Sequence, residues 1–355
     1  MAAYTTIDDP SAHFKVQLYT GTGSALAVTF DDTDTDMSPD FVYVKGRSAV
    51  TSSLLFDSVR GTGKYLNGSS AGAEVSEAQS ITAFGSDGFS MGTESDMNTS
   101  TDLYVSWNWK AGTTSGINTT GSTITPSAYS FNQDVGFSII KYEGNATGGA
   151  LLPHALAVVP EFAIFKSIDD TPNWRVYHKG TDATAPEDYG LILNNNSVRD
   201  NDNTAFNDTA PTSVLMCLGT SPTTNDGSTM MAYFFAGKQG FSKFGSYTGT
   251  NNVNGPFIWL GFRPAFLIIK KTDATGEGWQ INDNERDPHN PATVTLWADA
   301  TDADTTNAAY AVDFLSNGFK IRTSDGGKNN VNNYIYAAFA EASFVNSNGV
   351  PCNAR

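Results

Sequence analysis

Pro39-Asp-Phe-Val-Tyr-Val-Lys45, Pro160-Glu-Phe-Ala-Ile-Phe-Lys166 and Pro264-Ala-Phe-Leu-Ile-Ile-Lys270 are three copies of one pattern. Each is a proline, a short apolar run opened by phenylalanine, and a lysine. The prolines stand 121 and then 104 residues apart, a period that marks tandem structural units. A continuous apolar run of this length reads as a strand covered on both faces. The three phenylalanines, Phe41, Phe162 and Phe266, are therefore predicted to occupy equivalent buried positions.

Other landmarks recur in the same order. Tyr19-Thr-Gly21, Tyr142-Glu-Gly144 and Tyr247-Thr-Gly249 precede the apolar runs, and an aromatic strand closes each unit: Leu103 to Trp109, Met231 to Phe235 and Tyr334 to Phe339. Asp87-Gly-Phe89 and Asn317-Gly-Phe319 match between the first and third units. Leu103 to Trp109 alternates apolar and polar residues, which predicts one wet face. No window of helical period exceeds about two turns. The expected fold is all-β, with three related antiparallel β-sandwich (jelly-roll-like) units in tandem. The units are placed at 1–112, 131–240 and 241–355. A Thr-, Ser- and Gly-rich linker is assigned to 113–130, and the second and third units are expected to pack together.

Composition fits this reading. The 355 residues are 39% hydrophobic and 12% aromatic but only 16% charged, with 33 glycines. That supplies cores and favours strands and turns over helices. A net charge of −16 speaks against nucleic acid, whose phosphates need clustered Lys and Arg. It keeps a densely displayed protein soluble. Cys217 lies in an apolar run and Cys352 near the end, so no disulfide is expected and folding in a reducing cytoplasm fits. No secretory signal opens the chain, and no apolar run reaches the ~18 residues of a membrane helix.

The opening Met1-Ala-Ala-Tyr-Thr-Thr-Ile-Asp-Asp-Pro10, the block Pro39 to Arg47, Phe56-Asp-Ser-Val-Arg-Gly61 and Trp107-Asn-Trp-Lys-Ala-Gly112 resemble one family. So does the ending, Phe339-Ala-Glu-Ala-Ser-Phe344 through Pro351-Cys-Asn-Ala-Arg355. The family is that of repetitive virion and tail-fibre proteins of phages infecting marine bacteria and cyanobacteria. The units are also similar in layout to concanavalin-like lectin and laminin-G sandwiches. The likeness spans both termini, so a complete gene product is expected. It implies a virion structural protein on the outer surface of the particle, made in the host cytoplasm, forming part of a tail fibre or spike that engages the host through lectin-like modules. The alternatives are a capsid-decorating or head-fibre protein without receptor binding and, third, a glycan depolymerase. Implied partners are copies of itself, with a trimer favoured, other virion proteins and a host surface glycan.

No catalytic residue is assigned. Glycosidases on such sandwiches alternate carboxylates along one strand, and no such run occurs. Asp283-Asn-Glu-Arg-Asp287 and Asp57-Ser-Val-Arg60 read as turns held by an Asp–Arg contact. His13, His154, His178 and His289 lack metal-ligand spacing, so no metal or cofactor is expected. Asp31-Asp-Thr-Asp-Thr-Asp36 could ligate calcium but lacks the Gly and closing Glu of ordered loops, and reads as a solvated turn. Trp174, Tyr177, His178, Trp279 and Trp297 fall near predicted loops and are the glycan-binding candidates, since rings beside amides stack on a pyranose, with packing in the core as the competing reading for most of the tryptophans. Trp107 and Trp109 are assigned to the core.

Overall fold

A computed structural model of the chain describes residues 3–30 and 35–352. Its regular structure is almost entirely antiparallel strand, with two four-residue helices and three short 3-10 turns. The first unit comprises β1 (Phe14–Thr20), β2 (Leu26–Thr29), β3 (Phe41–Gly46), β4 (Leu54–Asp57), β5 (Lys64–Asn67), β6 (Val75–Ser76), β7 (Ile81–Phe84), β8 (Gly88–Met91) and β9 (Leu103–Trp109). The second has β10 (Pro126–Asn132), β11 (Phe137–Glu143), β12 (Ala150–Pro153), β13 (Phe162–Ser167), β14 (Arg175–His178), β15 (Tyr189–Ile192), β16 (Asp200–Asn201), β17 (Leu215–Leu218) and β18 (Thr229–Phe235). The third has β19 (Ser242–Thr248), β20 (Phe257–Trp259), β21 (Phe262–Lys271), β22 (Gln280–Asp283), β23 (Val294–Trp297), β24 (Thr305–Thr306), β25 (Val312–Leu315), β26 (Gly318–Ile321) and β27 (Asn333–Ser343).

Each unit is a large sheet with a small one on its outer face. The large sheets run β1-β9-β3-β4-β5-β6, β10-β11-β18-β13-β14-β15-β16 and β19-β27-β21-β22-β23-β24. The small sheets are β2-β8-β7, β12-β17 and β20-β26-β25. Register confirms the repeat residue by residue. Phe41 pairs with Trp109 and Asp57, Phe162 with Phe235 and His178, and Phe266 with Phe339 and Asp283. All three phenylalanines are buried.

The large sheets turn their inner faces to one another, and a single core joins all three units. Trp109, Phe235 and Phe339, one from each unit, form a triangle with ring centroids 5.4, 5.8 and 6.4 Å apart. The landmark phenylalanines reach cyclically into the next unit. Phe41 meets Phe137 and Tyr233, Phe162 meets Phe244, and Phe266 meets Phe14 and Trp107. The chain is thus a closed ring of three units about a pseudo-threefold axis. Between each large sheet and its small sheet lies a separate outer core.

Two expectations change here. The closing strand Leu103–Trp109 has no wet face: Ser106 and Asn108 are buried, and Asn108 Nδ2 donates to Lys15 O and to Ser106. Alternating polarity was a misleading signal because both faces of the strand are covered, and the Asn108 amide donates within the sheet instead of to water. The linker also ends early, since its last residues enter β10 and pair with β11. Cys217 and Cys352 are both free.

The Tyr-x-Gly landmarks have a common physical cause. The hydroxyls of Tyr19, Tyr142 and Tyr247 donate to the carbonyls of Met97, Thr224 and Lys328, 78, 82 and 81 residues later. The next residue in each case is a buried asparagine, Asn98, Asn225 or Asn329, whose side chain ties together the surrounding loops. The glycines make room for this hook. A Cβ at Gly21 would lie 2.1 Å from Thr99 O, and one at Gly249 would lie 1.9 Å from Asn330 O.

Candidate functional site

The acidic clusters lie at the seams between units. Asp57 and Arg60 pair at 2.5 Å, and Asp283 and Arg286 at 2.6 Å, with all four side chains enclosed. In both turns the arginine N–H donates to the aspartate Oδ1 at 2.8 Å, and the guanidinium donates to a strand carbonyl, Leu55 O or Ile281 O. A donor from the neighbouring unit completes each carboxylate. Tyr233 Oη donates to Asp57 Oδ2 at 2.8 Å, and Trp107 Nε1 donates to Asp283 Oδ2 at 3.1 Å. Burial without pairing would be costly for these ions, and the fourfold satisfaction answers that cost. The Asp–Arg turn expected from the sequence is therefore present, with a role the sequence did not reveal: it fastens adjacent units.

His178 takes the equivalent place in the second unit. Gly180 N–H donates to its Nδ1 at 2.9 Å, and Nε2 lies 3.0 Å from Tyr336 O. These partners select the neutral ring protonated on Nε2. Burial pushes its pKa down to about 3. The third unit has Ala337 where the others carry Trp107 and Tyr233, so the imidazole reaches the backbone beside it.

These seams also correct the glycan-binding set. Trp174, Tyr177, His178 and Trp279 are all interior. Trp174 is 0% exposed, and its Nε1 donates across the seam to Asn67 O and Ser70 O at 2.9 and 3.1 Å. Trp279 Nε1 donates to Ile192 O at 2.8 Å, and Tyr177 packs edge-on against Phe206. A ring enclosed on both faces cannot stack on a sugar. Only Trp297 keeps partial exposure, with its ring set against Tyr310. The five residues do not converge on one surface. The error arose because the start of β14 or β22 resembles a loop in sequence, whereas its tryptophan plugs the neighbouring unit.

The exposed aromatic surface lies elsewhere. Phe257 and Trp259 are each 45% exposed and alternate on β20 with buried Ile258. Trp259 is not among the aromatics singled out from the sequence, because Phe257-Ile-Trp259 is continuously apolar and reads as a covered strand. Phe344 supports the indole edge-on at 5.5 Å. Of the acidic run Asp31 to Asp36, residues 31–34 lie outside the described residues. Among those described, no group of three or more His, Cys, Asp or Glu is gathered to hold a metal.

A recess of about 660 Å³ lies at the seam between the first and third units. Its near wall is β1, and its far wall includes Ala265, Asn284 and Ala342. Its acids are engaged: Asp8 and Asp9 accept from Ser347, Ser11 and Thr35, and Glu341 pairs with Arg263 at 2.9 Å.

Fold and seams together define a class: an all-β protein in which three sandwich units close into a pseudo-threefold ring within one chain. The model of the family described as a domain of unknown function (DUF7483) matches residues 9–343, and the chain belongs to that family. No curated protein and no solved structure matches it.

Proposed function

We propose that the protein is a bacteriophage virion structural protein, displayed on the particle surface as part of a tail fibre or spike engaged in host adsorption. The observation that carries the reading is the closed ring of three sandwiches about one axis. Such a body suits an axial position on a cyclic assembly, and its dense internal fastening suits a protein that must persist outside the cell. The acidic surface and the sequence resemblance support the same role. The adsorption contact falls to Phe257 and Trp259, an exposed aromatic pair able to stack on a host glycan. Copies of the chain and other virion proteins are its partners.

Capsid decoration without receptor binding is the second reading. It is favoured by the burial of four of the five aromatics first expected to face a sugar. Immunogold labelling of intact particles distinguishes the two. Label on the tail supports the fibre, label on the head supports decoration, and particles devoid of the protein would overturn both.

A further inference from the structure

In the second unit β10 lies alongside β11, with Asn132 opposite Phe137 and Ser130 opposite Ile139. The large sheets of the first and third units begin instead at β1 and β19. Among the described residues, no strand pairs with the outer edge of β1. An unpaired edge is a template for another strand, and the recess of about 660 Å³ runs along this one.

The walls of the recess correspond to what β10 touches in its own seam. Ser130 Oγ accepts from Gly112 N–H at 2.8 Å and donates to Asp40 Oδ1 at 3.1 Å. Asp40 immediately precedes Phe41, as Ala265 precedes Phe266, and Ala265 lines the recess. Ser58, whose hydroxyl donates to Asp40, corresponds to Asn284, another lining residue. Val16, opposite the same wall, is the counterpart of Ile139. The recess is thus the β10 position of the first unit, with no strand in it among the described residues.

The recess also contains polar groups lacking partners. Lys15 is 6% exposed, lines the recess, and its Nζ has no hydrogen-bond acceptor among the described residues. It has only the Phe30 ring, 5.6 Å away. Asn284 Oδ1 is likewise buried without a donor. Lys15 corresponds to Ser138, which stands opposite Phe131 of β10. A strand added to β1 would therefore place one residue directly opposite Lys15.

We infer that β1 is a strand-acceptor site, completed by an extended segment of a partner polypeptide. That segment carries a small residue against Ala265 and a carboxylate opposite Lys15. Main-chain hydrogen bonds to the β1 edge supply affinity in this mode, and alternate side chains supply selection. The carboxylate meets the buried ammonium.

The test uses the full chain and a peptide reproducing residues 126–132 with Phe131→Glu, read by hydrogen–deuterium exchange. Exchange across residues 14–20 should slow at least several-fold. A Phe131→Lys peptide should protect more weakly, and Lys15→Met in the protein should erase the difference between the two peptides. No protection at millimolar peptide, or protection confined to residues 242–248, would overturn the inference. Protection of 14–20 by self-association without peptide would also overturn it, because the edge would then belong to a second copy.

Discussion

The Tyr233 hydroxyl of the second unit donates to Asp57 Oδ2 of the first over 2.8 Å, and Arg60 Nε binds the same oxygen at 2.5 Å. Removing the donor by Tyr233→Phe should cost about 1–3 kcal/mol, the range for a buried acceptor that loses a partner. Removing the charge by Asp57→Ala should cost about 3–5 kcal/mol, because the buried Arg60 then loses its 2.5 Å partner and keeps only the longer pair to Glu74 at 3.4 Å. Urea denaturation of the two variants checks both the order and the size.

The landmark phenylalanines give the second prediction. Phe41, Phe162 and Phe266 each contact the neighbouring unit, so Phe→Ala at any of them should lower stability by about 3–5 kcal/mol. The three losses should be similar, since the positions are equivalent in register. A near-neutral effect at one site would break the pseudo-threefold equivalence.

Trp174→Ala and Trp279→Ala should be destabilising, by roughly 3–5 kcal/mol each, because both rings are buried at seams. Trp259→Ala should leave the melting temperature within about 2 °C of the parent, as expected for an exposed side chain, while reducing competition by the protein for adsorption to host cells. Thermal melts run beside adsorption assays separate the two kinds of tryptophan.

Acid should weaken the protein through His178 and His154, whose burial lowers their pKa values to about 3 and about 4. Below the unfolded value of about 6.5 the unfolded chain binds protons that the folded chain refuses. Stability should therefore fall as pH drops from about 6.5 toward 4. His178→Gln keeps a donor for Tyr336 O and cannot titrate, so its melting temperature should decline less over that window. At the alkaline end Lys45, Lys166 and Lys270 are buried with pKa values of about 8. Stability should rise from about pH 8 until unfolded-state tyrosines ionise near 10.

Much of the architecture was legible because it repeats. Three apolar strands, three Tyr-x-Gly hooks and three closing strands are local patterns, and each maps onto one equivalent element. Their mutual closure was not legible. Trp174 Nε1 binding Asn67 O, Trp279 Nε1 binding Ile192 O and Ser53 Oγ binding Ala298 O are made from one equivalent position in each unit, the serine's acceptor lying one residue past the counterpart of the other two. Two tryptophans and a serine share no sequence signature, and their acceptors are backbone carbonyls. The same closure buries the residues expected to meet a glycan, because a strand end beside a polar loop reads as surface until the neighbouring unit is in place. Asn98, Asn225 and Asn329 were missed for a simpler reason: asparagine is common in loops, and burial alone distinguishes these three.

The ring itself is most directly tested by hydrogen exchange at rising urea concentration, followed in the three central strands Leu103–Trp109, Thr229–Phe235 and Asn333–Ser343. These strands meet through Trp109, Phe235 and Phe339 and so should lose protection together, at one urea midpoint. Three separate midpoints would mean three sandwiches that fold independently, and would contradict a single closed body.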